Sequence, residues 1–270
     1  QKELIRQKIA AKASKRLNCP VVYVNQVGGN DELIFDGSSF VTDQQGQITL
    51  SLPRCDEAIS TWDSSLKEEV SANEIVEPQE RLLKALVLGL RDYAKKCGFK
   101  SALLGLSGGI DSALVSVLAS AALGSKNVSG ILMPSPWSSE GSVKDATELA
   151  RRLEIKTSVV PISSLMKRYD KTLEIALREK PQGLTAENLQ ARIRGTILMA
   201  IANKERHLLL STGNKSELAV GYCTLYGDMN GGLSVIGDIY KTHVFDLCKW
   251  IDSDKSYKFR EDIGLPSNGE

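Results

Sequence analysis

The sequence predicts an α/β protein whose larger part is a doubly wound parallel sheet, and three observations lead to this prediction. From residue 78 onward, short apolar segments alternate with longer amphipathic ones, as strands alternate with helices in such sheets. A run of small residues, 105–112, stands between a predicted strand and a predicted helix. A second polar loop, 212–217, follows another apolar segment. Because ligands bind at the carboxyl ends of parallel strands, we expect both loops to contribute to one site.

Residues 1–56 are expected to form a strand-rich segment of their own. Apolar positions at helical spacing predict a helix over 4–17, and the glycine pair in 28–31 predicts a turn. Runs of β-branched and aromatic residues predict strands at 21–24, 33–35, 38–42 and 47–52. The acidic, weakly periodic residues 57–77 are expected to be a linker.

Residues 78–270 are expected to form the domain that carries the alternating strands and helices. Its first helix is predicted to begin near Pro78, because leucines follow there at helical spacing. The predicted strands are 101–106, 128–133, 156–160 and 207–211. The predicted helices that follow are 112–123, 139–152, 185–204 and 243–252.

Composition limits the classes of function to consider. The chain has 270 residues, of which 42% are hydrophobic and 25% charged, as in a globular enzyme. A formal net charge of +1 gives no reason to expect a nucleic acid or an anionic membrane as partner. No apolar run approaches the roughly 20 residues that a membrane-spanning helix needs. The five cysteines contain no C-x-x-C pair, which argues against a zinc cluster and favours reduced thiols in the cytoplasm.

The loop Gly-Leu-Ser-Gly-Gly-Ile-Asp-Ser at 105–112 is the strongest functional signal. A turn from a strand into a helix directs backbone N–H groups and the positive end of the helix dipole toward one point, which suits a pyrophosphate. The glycines admit phosphate oxygens close to the backbone, the serines donate hydroxyls, and the aspartate offers an oxygen to Mg²⁺. An ordinary Gly/Ser turn is the alternative. The candidate phosphate ligands are Gly105, Leu106, Ser107, Gly108, Gly109, Ile110, Asp111 and Ser112.

The loop Thr-Gly-Asn-Lys-Ser-Glu at 212–217 offers a hydroxyl, a cation and a carboxylate to the same edge of the sheet. Asp111 and Glu217 are the candidate pair of Mg²⁺ ligands, bridging the metal to phosphate oxygens. The same hexapeptide is also compatible with a simple helix start, in which Asn214 is the N-cap and Glu217 the third helical residue.

Two further blocks, together with these loops, resemble a known family. They are Glu-Asn-Leu-Gln-Ala-Arg-Ile-Arg-Gly at 187–195 and the segment 211–229. The S-G-G-I-D-S loop resembles that of the ATP pyrophosphatases, and the blocks in this order resemble the NAD⁺ synthetases over residues 78 to about 250. Residues 2–55 resemble the end of the nitrilase-like glutaminase domain of the glutamine-dependent members, which implies a partial α/β nitrilase-like segment there.

The resemblance implies an ATP-dependent ligase that amidates deamido-NAD⁺ to NAD⁺ through an NAD-adenylate. The nitrogen would come from ammonia or, in a longer parent protein, from glutamine. By this resemblance, the ATP ligands outside the first loop are Thr212 and Lys241, and the deamido-NAD⁺ ligands are Asn188, Arg192 and Glu217. Met133 and Ser139 would lie beside the adenine, and Lys2 would contact glutamine.

The resemblance also marks what this stretch of sequence does not carry. The family's Glu–Lys–Cys glutaminase triad lies upstream of the matching segment, so no catalytic residue is identified, and Cys19 is expected to be a buried structural thiol. The C-terminus departs from the family pattern and is expected to be incomplete. A homo-oligomer is expected. The alternatives are another pyrophosphate-loop amidoligase or a non-catalytic nucleotide-binding fragment.

Overall fold

The pairing of strands divides the chain into an antiparallel part before residue 60 and a parallel part after residue 100. The computed structural model describes residues 2–65, 76–262 and 264–265. The predictions for residues 66–75 of the linker and 266–270 of the C-terminus lie outside the described residues. By compactness the chain divides into two units, Gln1–Tyr93 and Ala94–Glu270. Within the described ranges, no helix has the length and apolar character needed to cross a membrane.

The first unit is built from short antiparallel strands and two helices within its described residues. The elements in chain order are α1 (Lys2–Leu17), β1 (Val21–Tyr23), β2 (Val27–Asn30), β3 (Leu33–Asp36), β4 (Phe40–Thr42), β5 (Ile48–Ser51) and most of α2 (Pro78–Lys96). One sheet has the order β1-β4-β5, while β2 and β3 form a separate hairpin. The buried hydroxyls of Ser14 and Thr42 join α1 to this sheet through a hydrogen bond of 2.5 Å. The predicted N-terminal helix and strands are thus confirmed.

The turn predicted at 28–31 is wrong, because these residues are mostly the strand β2. The hairpin turns one step later, at Asp31, whose φ is +55°. The glycines are needed instead for close contact with α2. A Cβ on Gly28 would lie 2.8 Å from a carboxylate oxygen of Asp92, and the backbone N–H of Gly29 donates to that carboxylate at 2.8 Å.

The second unit alternates strands and helices around a parallel sheet. Its elements after α2 are β6 (Ala102–Gly105), α3 (Ile110–Leu123), β7 (Val128–Leu132), α4 (Glu140–Arg152), β8 (Lys156–Val159), α5 (Ser163–Leu177), α6 (Gly183–Glu205), β9 (Leu208–Ser211), α7 (Lys215–Val220), β10 (Leu233–Ser234), α8 (Lys241–Ile251) and α9 (Tyr257–Asp262). The four predicted strands and four predicted helices are all present. Three elements were not predicted from the sequence: α5, in which Met166 is the buried residue, the short helix α9 and the two-residue strand β10.

The strand order β10-β9-β6-β7-β8 confirms the predicted doubly wound sheet. From β6 the chain moves outward to β7 and β8, and then returns to place β9 on the other side of β6. In register, Ala102 of β6 stands between Val128 of β7 and Leu208 of β9. This reversal is a topological switch point, where the loops that follow β6 and β9 diverge and leave a crevice. Both polar loops of the sequence lie there.

Helices cover both faces of the sheet and bury its side chains. Leu103, Ile131 and Leu209 of three adjacent strands pack in one cluster with Ile193 of α6 and Met166 of α5. On the other face, α3 contacts β6 and β7, and its Leu114 and Leu118 are fully buried. The rigid sheet between these two layers fixes where each strand ends, and hence where the functional loops begin.

Candidate active site

The loop after β6 turns tightly into α3 and is held by its own serines. The Ser107 and Ser112 hydroxyls lie 3.0 Å apart, and the backbone N–H of Gly109 donates to Ser107 Oγ at 3.1 Å. Gly108 has a φ of +79°, and a Cβ there would lie 2.3 Å from the carbonyl oxygen of Ser142 at the start of α4. Glycine is therefore required at this position both by the backbone and by the neighbouring helix.

The loop after β9 begins α7 with a capping box around Asn214. The Asn214 side chain accepts a hydrogen bond from the backbone N–H of Glu217 at 3.1 Å, and a Glu217 carboxylate oxygen accepts from the backbone N–H of Asn214 at 3.1 Å. The helix-start interpretation of 212–217 is thus confirmed. It does not exclude a role in binding, because the carboxylate of Glu217 also lines a cavity.

The two loops meet at Asp111, in the first turn of α3. One oxygen of its carboxylate, Oδ1, accepts from Asn214 Nδ2 at 3.0 Å, while the other, Oδ2, is paired with the ammonium of Lys241. Lys241 begins α8, and its backbone N–H donates to Ser216 Oγ at 3.0 Å. Residues that lie 130 positions apart in the sequence are therefore in direct contact.

Two neighbouring cavities open along this edge of the sheet. The first, of about 300 Å³, extends from the β6 loop to α6, and its lining includes Gly105, Leu106, Ser107, Met133, Ser138, Ser142, Arg194, Leu198 and Thr212. The second, of about 340 Å³, is lined by residues that include Asp111, Ser112, Thr212, Gly213, Glu217, Tyr222 and Cys223. Ser107, Ser211, Thr212 and Asp228 line both cavities. Three acidic residues, Asp111, Glu217 and Asp228, line the second cavity, and Asp228 lines the first as well.

The residues of α6 that the resemblance singled out are tied to the segment after α7. Asn188 Oδ1 accepts from Thr224 Oγ1 at 2.9 Å, and Arg192 Nε donates to the carbonyl oxygen of Leu225 at 3.2 Å. Among the described residues, neither Asn188 nor Arg192 lines the two cavities. Both instead hold the segment that forms one wall, since Asp228 of that segment lines both cavities.

Arg194 lines the first cavity, although it is not among the site residues predicted from the sequence. Its Nε donates to the carbonyl oxygen of Met133 at 3.2 Å, and its Nη2 donates to Gln190 Oε1 at 3.0 Å. Burial lowers the pKa of the Arg194 guanidinium, although an arginine remains charged at neutral pH. Helical spacing could have found it, because Ala191, Arg194 and Leu198 recur at intervals of three and four and all line the cavity.

The remaining candidates are placed as follows. Met133 lines the first cavity, whereas Ser139 is exposed and caps α4 by accepting from the backbone N–H of Ser142 at 3.1 Å. Ser138 and Ser142, on either side of it, line the cavity. Lys2 is exposed at the start of α1 in the first unit.

The donor set of the second cavity fits Mg²⁺. In the described part of the chain no group of three or more His, Cys, Asp or Glu side chains is placed to hold a metal. Mg²⁺ does not need one, because it keeps several waters and binds one or two carboxylates together with substrate phosphates. Asp111 and Glu217 line one cavity and share Asn214 as a hydrogen-bonding partner, so this pair meets that requirement.

Two of the five cysteines, Cys55 and Cys248, are held as neutral thiols. Burial, together with the negative charges of Asp252 and Asp111, raises the pKa of the Cys248 thiol to about 12, and burial raises that of Cys55 to about 11. Both are therefore neutral thiols near pH 7. Cys19, expected to be buried, is exposed instead, because α1 ends at Leu17 and the chain passes Cys19 on the surface before β1.

The family model and the curated relatives that match this chain are NAD synthetases. The family described as NAD synthase matches residues 82–257. The glutamine-dependent NAD(+) synthetase of Synechocystis sp. is 53% identical over 261 residues, which cover 94% of this chain and 47% of that protein. The chain thus spans about half the length of the curated relatives it matches.

Solved structures agree with this. Glutamine-dependent NAD⁺ synthetase from Acinetobacter baumannii, in complex with ADP, matches with a TM-score of 0.89 and 44% identity over 94% of this chain and 49% of that one. NH3-dependent NAD synthetase from Campylobacter jejuni, in complex with the nitrate ion, matches with a TM-score of 0.60 and 30% identity over 68% of this chain and 78% of that one.

Proposed function

The chain belongs to the NAD synthase family, and from that premise we propose that it amidates deamido-NAD⁺ to NAD⁺ at the expense of ATP. The observation that carries the proposal is the meeting of the β6 and β9 loops at Asp111, beside two adjoining cavities. The ADP bound by the Acinetobacter baumannii relative supports a nucleotide as one occupant. In this proposal, ATP and deamido-NAD⁺ are the substrates of the ligase.

The first cavity is the proposed place for the adenosine of ATP. Met133, Leu198 and Leu106 give it apolar walls suited to a flat base, and the β6 loop lies at its end. The loop 105–112 then receives the phosphates, since its backbone N–H groups and the start of α3 favour an anion. Thr212 lines both cavities and is proposed to contact ATP at the junction.

The second cavity is the proposed place for the metal and the reacting carboxylate. Asp111 and Glu217 would hold Mg²⁺, which when bound would offset the charge of the phosphates. The ammonium of Lys241 is paired with the Asp111 carboxylate. It would stabilise the negative charge that builds on the leaving pyrophosphate. Glu217 is also proposed to face deamido-NAD⁺, with Asn188 and Arg192 supporting the wall behind it.

The proposed reaction has two steps. An oxygen of the nicotinate carboxylate attacks the α-phosphorus of ATP, forming an O–P bond, and pyrophosphate leaves with the electron pair of the broken bond. The lone pair of ammonia then attacks the acyl carbon, AMP leaves, and one proton is released as the amide forms. Because both nucleophiles belong to substrates, the chain acts by positioning and by charge stabilisation.

Further parts of the proposal concern the setting of the site. The resemblance of 2–55 to a nitrilase-like domain makes a glutaminase the proposed nitrogen source of a longer parent, with Lys2 near its glutamine. We place the protein in the cytoplasm on the strength of its unpaired thiols. A homo-oligomer is proposed as well, because the resemblance to the NAD⁺ synthetases implies one. Gel filtration with light scattering tests the oligomer.

One assay series tests the function. The 270-residue chain is given ATP, Mg²⁺, ammonium and deamido-NAD⁺, and NAD⁺, AMP and pyrophosphate are measured in parallel. Equal amounts of the three products are expected. ATP–pyrophosphate exchange, measured with a panel of other carboxylic acids, distinguishes an NAD⁺-forming ligase from an amidoligase that acts on a different acid. Exchange with another acid but not with deamido-NAD⁺ would contradict the proposed substrate, and binding of ADP without any exchange would indicate a non-catalytic fragment.

A further inference from the structure

Asn214 holds together the two loops of the site from a position that is fully buried, with 0% of its surface exposed. We propose that Asn214 is a positioning residue, which fixes the carboxylate of Asp111 for binding of Mg²⁺ with nucleotide. The inference rests on the proposed function, because it concerns the same metal site. It assigns to the site a residue that touches no substrate and acts through Asp111.

The chemistry of the asparagine amide explains why this residue suits the position. Capping α7 requires an acceptor, which Ser, Thr, Asp and Asn all supply, and Asn214 Oδ1 meets that need with the backbone N–H of Glu217. Among these four residues, asparagine alone adds an NH₂ group on a separate atom. That NH₂ group donates to Asp111 across 103 residues of sequence. Capping of α7 therefore explains the Oδ1 atom of Asn214, but it does not explain why the side chain also carries an NH₂ group.

The hydrogen bond from Asn214 orients the Asp111 carboxylate and leaves its negative charge in place. An ionised carboxylate has about four lone-pair positions, and the amide of Asn214 occupies one of them on Oδ1. The other oxygen, Oδ2, is paired with Lys241, and Asp111 lines the second cavity. Because the amide is neutral, it fixes the direction of the Asp111 carboxylate while leaving its negative charge available to a cation. Outer hydrogen bonds of this kind commonly alter metal affinity about tenfold or more.

The cap and the link can be separated by substitution. Asn214→Ser keeps a capping oxygen and removes the donor to Asp111, whereas Asn214→Ala removes both. Asn127→Ser is the control, because the exposed Asn127 amide also donates a hydrogen bond, in this case to the backbone carbonyl oxygen of Leu123 at 2.8 Å. Asn127 lies beyond the far end of α3, about 20 Å along that helix from its start.

The measurement is binding of Mn²⁺, a spectroscopic substitute for Mg²⁺, to the 270-residue chain in the presence of ADP, by electron paramagnetic resonance. We expect Asn214→Ser to weaken Mn²⁺ binding about tenfold in a variant that still unfolds in one cooperative thermal transition. Asn127→Ser should leave Mn²⁺ binding unchanged. In an Asp111→Asn background, Asn214→Ser should have no further effect on ADP affinity at fixed Mn²⁺. The carboxylate through which Asn214 is proposed to act is absent from that background.

Each result decides between the inference and the proposed function. Equal Mn²⁺ affinity of Asn214→Ser and the unsubstituted chain, or a full effect of Asn214→Ser in the Asp111→Asn background, overturns the inference alone. Absence of any nucleotide-dependent Mn²⁺ site in the unsubstituted chain overturns the metal assignment and the inference with it. If Asn214→Ser does not fold, Asn214→Thr repeats the measurement with a second capping oxygen. If neither variant folds, Asn214 is structural and the inference is wrong.

Discussion

Replacing Gly108 by alanine should damage the phosphate loop through two separate effects whose sizes follow from the structure. The first is conformational, because a φ of +79° is unfavourable for any residue with a Cβ, by about 1–2 kcal/mol. The second is steric, because the Cβ would lie 2.3 Å from the carbonyl oxygen of Ser142. Relief requires movement of backbone, either of the loop or of the start of α4, and overpacking of this kind costs about 1–3 kcal/mol.

A second glycine of the same unit separates the two effects. Gly98 has a φ of +77°, nearly that of Gly108, but a Cβ there meets nothing within 4 Å. Gly98→Ala should therefore lose only the conformational part, about 1–2 kcal/mol, while Gly108→Ala should lose about 2–5 kcal/mol in free energy of unfolding. The difference between the two variants measures the contact with Ser142.

Urea unfolding and ADP binding together check this reasoning. Gly108→Ala should unfold at lower urea than Gly98→Ala and should bind ADP at least about tenfold more weakly, because displaced N–H groups no longer converge on the phosphates. Gly98→Ala should keep the ADP affinity of the unsubstituted chain. Equal stability of the two variants would refute the steric argument, and unchanged ADP affinity of Gly108→Ala would show that this loop does not hold the phosphates.

Three further predictions follow from the site. Asp111→Asn and Glu217→Gln should each reduce turnover most strongly at limiting Mg²⁺, because each removes an anionic ligand; unchanged Mg²⁺ dependence in either variant would remove that residue from the metal site. Iodoacetamide at pH 8 should label the exposed Cys19 and Cys97 before Cys55 and Cys248, whose pKa values of about 11 and 12 keep them neutral, as peptide mapping would show. The 270-residue chain should form NAD⁺ with ammonium and not with glutamine in ammonia-free buffer, because amide hydrolysis needs an activated thiolate; glutamine-driven synthesis would show that these residues were misjudged.

Local chemistry was sufficient to predict most of the fold. Strands such as β6 and β9 are short apolar runs bounded by polar loops, so their place and their parallel arrangement follow from pattern alone. α5 was not predicted, although its apolar residues recur at helical spacing and its other residues are mostly exposed, so its pattern was present in the sequence. Gly28 and Gly29 were misinterpreted because a glycine pair gives the same local signal in a turn and in a strand that lies against a helix. Only the contact with Asp92 distinguishes the two cases.

Which residues reach the cavities, and which only support their walls, depends on tertiary structure that no local sequence pattern contains. Arg192 and Arg194 stand two residues apart, and two steps of an α-helix rotate the side chain by about 200°, so the two guanidiniums face nearly opposite directions. A motif that contains both cannot tell which one reaches the cavity. The structure directs Arg194 toward Met133 and Arg192 toward Leu225, because the apolar residues of α6 that pack on the sheet fix its rotation. The bond between Asn214 and Asp111 has the same origin. It exists because the strand order reverses between β8 and β9, which places β9 beside β6. The loops that follow these two strands are therefore neighbours, although they are distant in sequence.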